Sequence, residues 1–225
     1  RLPHQEPAVI RRPTRLLTTA VAGTTAALLL AGCGGGDGAS KANDKIAGAD
    51  TDTKTPPSPT PSATAGRPRI ELPSDLTYTF EWPKTGDNAK DAVLYDSQQF
   101  IKAVDMAIAE QKPLDAGYRF YSEGEAAAGS QKFIQEFVDY KDRITGVRRF
   151  YAAKVQVNDG GTASLVYCED QNKAYNKSLK TGKTDVTPQS KDNYVIYSSR
   201  LRVNKQGIWV IEKLASQRGS SVCQP

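Results

Sequence analysis

A chain of 225 residues, 38% hydrophobic and 24% charged, has room for one domain with extensions or for two small domains, and its composition is that of a globular protein. The exception is its 18 Gly and 13 Pro, which gather toward the front and mark a break in composition. A net charge of +5 would favour a nucleic-acid partner only if the excess of basic over acidic residues belonged to the folded part.

Arg11, Arg12 and Arg15 precede an apolar run from Leu16 to Ala31 that contains no acid. A positive region followed by an apolar one is the order of an export signal. The run is diluted by Gly and Thr, and it falls short of the roughly 20 apolar residues that span about 30 Å of hydrocarbon. It ends in Leu30-Ala31-Gly32-Cys33: a Leu, two small residues and a Cys. This succession resembles the lipobox of bacterial lipoproteins. The resemblance implies that residues 1–32 are a signal peptide, cut just before Cys33, and that Cys33 carries a diacylglycerol thioether. Membrane lipid is then one partner, reached through the acylated Cys33, and the expected location is the extracytoplasmic face of the cell membrane. Each buried CH₂ contributes about 0.8 kcal/mol, so two chains anchor where one would hold only marginally. The Arg11-Arg12 pair also belongs to twin-arginine signals, but Pro13 follows it and the rest of that pattern is poor. Residues 1–32 hold four Arg and one Glu, so their removal lowers the net charge from +5 to +2, and a nucleic-acid partner loses most of its support.

From Gly34 to Arg69 the one large apolar residue is Ile46. A segment of Gly, Ala, Ser, Thr, Asp and Lys, closing in "TPPSPTPSATAGRP", cannot bury enough surface to offset its ordering entropy. Residues 33–69 are therefore expected to be a lipidated N-terminus and a disordered linker, with a coil reach of roughly 30–35 Å.

The folded domain is expected over residues 70–225. "DLTYTFEW" (75–82) alternates and is β-prone, which predicts a short strand. Val93, Phe100, Val104 and Ile108 recur at helical spacing, and Pro113 closes that helix. A short piece covers Leu114 to Tyr121, and a further helix is predicted from Ser130 to Asp142 on the stripe Phe133, Ile134, Phe137 and Val138. "RRFYAAKVQV" (148–157) predicts a strand with Tyr151, Ala153, Val155 and Val157 on one face. "NDGG" is hairpin-turn chemistry, and "TASLVYC" returns to Cys168. The polar stretch Glu169 to Asn193 reads as a long loop, a solvated hairpin insertion and a candidate contact for a wall polymer or protein. Within it "TGKT" (181–184) is no phosphate-binding loop, because position 177 is Lys where that motif needs Gly. "YVIYSSRLRVN" and "IWVIEKLAS" supply the last two strands. Helices followed by antiparallel strands predict an α+β fold with helices packed on one face of a curved sheet.

With Cys33 lipidated, Cys168 and Cys223 remain, and an even pair in an exported domain is expected to form a disulfide. Its loop of some 55 residues makes it worth about 4 kcal/mol. A metal site is the rival, but it lacks a second Cys pair or any nearby His.

The order of elements, with two or three helices before a long hairpin pair ending in "GIWVIEKLAS", resembles the NTF2-like (SnoaL-like) cone. "TGVRRFYAAKVQV", "ASLVYCEDQNKAY" and "SRLRVNKQGIWVIEKL" are similar to a group of secreted actinobacterial lipoproteins of unknown function, in which the two cysteines also look paired. Enzymes of the superfamily, ketosteroid isomerase and polyketide cyclases, use a carboxylate or a His–Asp pair with a Tyr donor in the cone. The one His here is His4, in the leader, so acid–base work would fall to Asp, Glu or Tyr. Tyr118, Tyr151, Tyr197, Trp209 and Asp170 are the candidate cavity-lining residues, with Tyr121 and Glu169 beside them. The simpler expectation is that the tyrosines are amphipathic core and rim residues and that Glu169 and Asp170 are a solvated strand end. Two functions follow: a non-catalytic module binding an envelope protein, wall polymer or small apolar ligand, or an isomerase- or cyclase-like enzyme with a buried carboxylate and Tyr. Neither a cofactor nor a metal is expected.

Overall fold

A computed structural model describes residues 66–225. The leader, the Leu30–Cys33 sequence and the linker up to residue 65 lie outside the described residues. The chain order is β1 (Leu76–Phe80), α1 (Asn88–Ala109), α2 (Ala116–Phe120), α3 (Gly124–Tyr140), β2 (Asp142–Asn158), β3 (Thr162–Ser178), β4 (Thr184–Asp185), β5 (Tyr194–Val203) and β6 (Trp209–Arg218). The strands form one mixed, unclosed sheet in the order β1-β2-β3-β5-β6, with the two-residue β4 added beside β3. This is the expected α+β class, with helices against one face of a curved sheet. Among the described residues no helix is long and apolar enough to cross a membrane.

The sequence explains most element boundaries. Asp87 caps α1 by accepting the amides of Ala89 and Lys90 at 2.9 and 3.1 Å. The apolar stripe Val93, Phe100, Val104 and Ile108 is buried as expected. α1 ends four residues before Pro113, where Gln111 takes a left-handed φ of 56°. α3 begins at Gly124, earlier than Ser130, because Ala126 to Ala128 are strong helix formers that carry no stripe. It stops at Tyr140 on a left-handed Lys141, so Asp142 opens β2 rather than closing the helix.

β2 and β3 are much longer than the sequence suggested. "DRITGV", which precedes the expected strand, is itself strand and pairs with Lys173 to Ser178. Gly146 has a φ of 95°, and a Cβ there would sit 2.1 Å from the carbonyl oxygen of Lys173. Glycine is thus required for the close approach. The expected Glu169–Asn193 loop is corrected accordingly: Glu169 to Ser178 are the second half of β3, and the connection shrinks to 179–193. Polar residues continue the strand because their side chains bond within the fold; Asn172, for one, accepts from Ser190 and Asn193 at 2.9 and 3.0 Å.

Two irregularities bend the β2–β3 ladder and reset which residues face inward. One lies between Val147 and Arg149 and places both Gln171 and Asn172 of β3 inside. The other lies between Tyr151 and Lys154, around Ala152 at a φ of 52°. Bulges of this kind increase local twist and curvature. The expected single face Tyr151, Ala153, Val155 and Val157 is therefore split. Before the bulge Arg148 and Phe150 point into the core, and after it Ala153, Val155 and Val157 do. Tyr151 turns outward, where its hydroxyl donates to the carbonyl of Cys223. Phe150, Leu165, Leu201, Ile134, Val93 and Ile108 are fully buried, each worth roughly 1.5–3 kcal/mol.

Cys168 and Cys223 form a disulfide with their Cα atoms 5.6 Å apart, tying the C-terminal turn to the outer side of β3. At the other end Arg67, placed by composition in the linker, is held within the domain by an ion pair to Asp96. The ordered chain therefore starts before residue 70.

β1 runs parallel to β2, from Leu76 opposite Gly146 to Phe80 opposite Phe150. Asp75 fastens its start: Arg143 donates to both carboxylate oxygens at 2.7 and 2.8 Å and Lys177 donates at 2.8 Å. These partners hold the Asp75 carboxyl well below the usual carboxylate range. A depressed folded pKa gives stability that is present above the unfolded value near 3.9 and is lost as pH falls. The wild type should therefore exceed Asp75→Asn in thermal midpoint near neutral pH, with the gap closing below about pH 4. The side chain is partly exposed, so the gap should be small, of order 1 kcal/mol or less. A pH series of melting curves checks this, and a gap that widened in acid would contradict it.

Candidate functional site

At the centre of the helix-facing side of the sheet sits Arg148, and five elements converge on it. α1 supplies Asp105, four residues after Ile101 and three before Ile108, on the buried stripe of the helix. β3 supplies Glu169. The Arg148 Nη1 donates to the two Asp105 oxygens at 2.7 and 2.5 Å, and Nε donates to Glu169 Oε1 at 2.6 Å. Both carboxylates are 0% exposed, and the Arg148 side chain is 8% exposed.

Hydroxyls and an amide complete the shell. Tyr78 of β1 donates to Asp105 Oδ2 at 2.6 Å. Tyr197 of β5 and Gln171 of β3 donate to Glu169 Oε2 at 2.8 and 2.9 Å. Arg218, at the end of β6, donates to Gln171 at 2.6 Å and so links the centre toward the strand ends. Below the guanidinium lies the Phe150 ring, 5.1 Å from its carbon to the centroid. Tyr167 stacks on Tyr197 at 5.0 Å.

Electrostatics fixes the protonation pattern. Burial pushes the Asp105 carboxyl up, while Arg148 and Tyr78 pull it back. Burial also disfavours the Arg148 cation, but Asp105 and Glu169 outweigh this and hold its pKa well above the ordinary value. Burial, then the adjacent carboxylates, raise Tyr78 and Tyr197, so both remain hydroxyl donors. Each oxygen of the two carboxylates thus accepts at least one hydrogen bond, and the single arginine charge is shared between them. Two buried carboxylates facing one guanidinium form a clamp with strong mutual attraction and a large desolvation cost. Among the described residues there is no group of three His, Cys, Asp or Glu placed to hold a metal.

Of the five residues expected to line a cavity, only Tyr197 joins this centre. Tyr118 is buried and donates to the carbonyl of Pro113 at 2.7 Å. Tyr151 faces the C-terminal turn, with the Arg149 guanidinium 4.4 Å over its ring. Trp209 lies in the core, its backbone N–H donating to Asp96 at 2.9 Å. Asp170 is half-buried and accepts from the backbone and side chain of Asn172 at 2.9 and 2.8 Å. Glu169, expected on a solvated strand end, is corrected: it is wholly buried. A shallow groove of about 570 Å³ crosses β3, β5 and β6 between Ser164, Ser198, Arg200 and Lys213, and none of the five borders it.

Asp105, Arg148 and Tyr78 were missed. The available signal was charge in an apolar pattern: Asp105 interrupts a buried helix stripe, and Arg148 stands two residues from Phe150 on the same strand face. A lone charge in such a pattern is equally consistent with a solvated edge, and only the folded arrangement brings the three together.

No family description and no curated protein matches the sequence. Several solved structures resemble the fold at low identity. Aln2 from a Streptomyces species is 14% identical, with 61% of this chain and 94% of that one covered at a TM-score of 0.40. The intermembrane space region of chloroplast protein ARC6 is 14% identical, covering 57% and 96% at 0.38. A candidate ketosteroid isomerase from Shewanella frigidimarina is 12% identical, covering 57% and 97% at 0.31. The chemistry of the Arg148 centre accordingly follows from this chain's own residues.

Proposed function

We propose that this chain is a lipid-anchored protein of the extracytoplasmic membrane face that presents a non-catalytic NTF2-like module to an envelope protein, a wall polymer or a small apolar ligand. The anchored reading is supported by the Leu30-Ala31-Gly32-Cys33 sequence behind an apolar run, and the Cys168–Cys223 disulfide is compatible with an oxidising location.

One observation carries the non-catalytic reading: Arg148 clamps both buried carboxylates. Isomerase- or cyclase-type chemistry draws support from the Glu169–Tyr197 and Asp105–Tyr78 pairs, each a carboxylate beside a phenol. A general base, however, must reach the proton it removes and hold a pKa near the working pH. Here the oxygens that would take that proton already accept from Arg148, Tyr78, Tyr197 and Gln171. The centre organises the interior and leaves recognition to the surface.

The anchor is tested with Cys33→Ser in the native host. The wild type should fractionate with membranes and lack residues 1–32 by mass. The variant should accumulate uncut or leave the membrane fraction. Equal membrane attachment and an unchanged mass for the two proteins would overturn the anchored reading.

A further inference from the structure

Away from the Arg148 centre the domain buries another carboxylate, Asp96 of α1, and the cation that neutralises it comes from the end of the low-complexity segment. The Asp96 side chain is 0% exposed. Its Oδ2 accepts the backbone N–H of Trp209 at 2.9 Å, and its Oδ1 receives Nη1 of Arg67 in an ion pair. The same Nη1 lies 3.5 Å from the hydroxyl of Tyr121. The guanidinium carbon is 5.1 Å from the Tyr95 ring centroid and 5.9 Å from that of Tyr121. A planar cation between a buried carboxylate and two aromatic rings matches guanidinium chemistry, and an ammonium would not reproduce its stacking.

From Arg67 the chain follows α1. Ile70 packs against the core, and the Glu71 N–H points to the sulfur of Met106 at 3.3 Å. Four extended residues cover about 13 Å, and the ten residues from Asp96 to Met106 rise about 15 Å along the helix. The segment therefore lies beside α1 and runs in the same direction. It belongs to no strand, so the Arg67 contact is its principal polar attachment.

We propose that Asp96, Tyr95 and Tyr121 form a guanidinium-binding site whose resident ligand is the chain's own Arg67, and that this site latches residues 66–71 onto α1. The latch places the point where the chain enters the domain, at Gly66, beside the N-terminal half of α1 instead of at β1. Emptied of Arg67, the site should accept a free guanidinium compound of the same shape. Only the role of the latch at the end of a membrane tether rests on the anchored reading; the site itself stands on the contacts around Asp96.

The test uses the full chain and two readouts. In hydrogen–deuterium exchange, Arg67→Ala should speed exchange across residues 66–74 by about tenfold while the β2–β3 ladder keeps its protection. Arg67→Lys, which keeps the charge but not the stacked plane, should fall between the two. In thermal unfolding, millimolar N-acetylarginine amide should recover part of the midpoint lost in Arg67→Ala, saturably, where N-acetyllysine amide recovers much less. Adding Asp96→Asn, which retains an acceptor for Trp209, should abolish that recovery. Exchange in 66–74 that stays within about twofold of wild type, or equal recovery by the two amides, would overturn the proposal. Neither readout involves Cys33, so a failure here leaves the anchored reading to its own test.

Discussion

Arg148→Met should be the most damaging single substitution in the domain. It leaves Asp105 and Glu169 without their cation in a buried site, and removing one partner of a buried ion pair typically costs about 3–5 kcal/mol. Total stability of a domain is only about 5–15 kcal/mol, so the variant should unfold at a much lower denaturant midpoint. Arg148→Lys should fare little better, because one ammonium cannot reproduce the Nε and Nη1 geometry that reaches two carboxylates. The pH dependence supplies a separate signature. Burial already raises the Asp105 carboxyl, and without Arg148 the main opposing influence is gone. A carboxyl with a raised folded pKa contributes stability that is fully present below its unfolded value and lost as pH rises through the folded one. Arg148→Met should therefore gain stability relative to wild type on mild acidification. Adding Asp105→Asn and Glu169→Gln should recover much of the loss at neutral pH by removing the stranded charges. Denaturant titrations at several pH values measure all of this, and a midpoint for Arg148→Met close to that of wild type would refute the clamp.

Reduction of the Cys168–Cys223 bond should be the next largest loss. The cysteines are 55 residues apart, and chain entropy makes such a closure worth about 4 kcal/mol. The loop it closes contains the second half of β3, the 179–193 connection and all of β5 and β6, so the reduced unfolded chain gains freedom over much of the sheet. Cys168→Ser with Cys223→Ser, or reductant on the wild type, should lower the denaturation midpoint by a matching amount. The Tyr151 contact to the Cys223 carbonyl should loosen with it, seen as faster hydrogen exchange in the C-terminal turn. Indistinguishable midpoints with and without reductant would show that the closure contributes nothing.

The sequence carried the helices well because their signal is local. Val93, Phe100, Val104 and Ile108 repeat at close to 3.6 residues, and Pro113 follows the run. It carried the hairpin at "NDGG" for the same reason. It failed on Glu169 to Ser178, where the side-chain partners that justify a strand are Arg148, Asn193 and Arg218, scattered over some 70 residues of chain. A polar strand whose side chains bond inside the fold has no hydrophobic period to detect. It also failed on the face assigned to β2, because the bulge at Ala152 reverses the alternation, and nothing in "FYAAKV" marks it. The site suffered from both effects. Tyr197, expected to line a cavity, instead lies in the buried centre on Glu169, while Tyr151 and Trp209, aromatics of the neighbouring strands, do not. Asp105 and Arg148 gain meaning only when α1 is laid across β2.

β1 stands first among the strands in the chain, yet its neighbour in the sheet begins about 70 residues later, after all three helices. A long-range parallel pairing has to wait for its loop to close. In a chain that leaves its channel N-terminus first, "LTYTF" emerges early, with Tyr78 and Phe80 uncovered, and finds no edge to join until β2 follows. The Arg148 centre obeys the same timetable, since Tyr78 comes from the earliest strand and Tyr197 from one of the last. A chain emerging N-terminus first can therefore complete its charged interior only after β5 has followed β1 out, and until β2 arrives the first strand has no sheet edge to cover it.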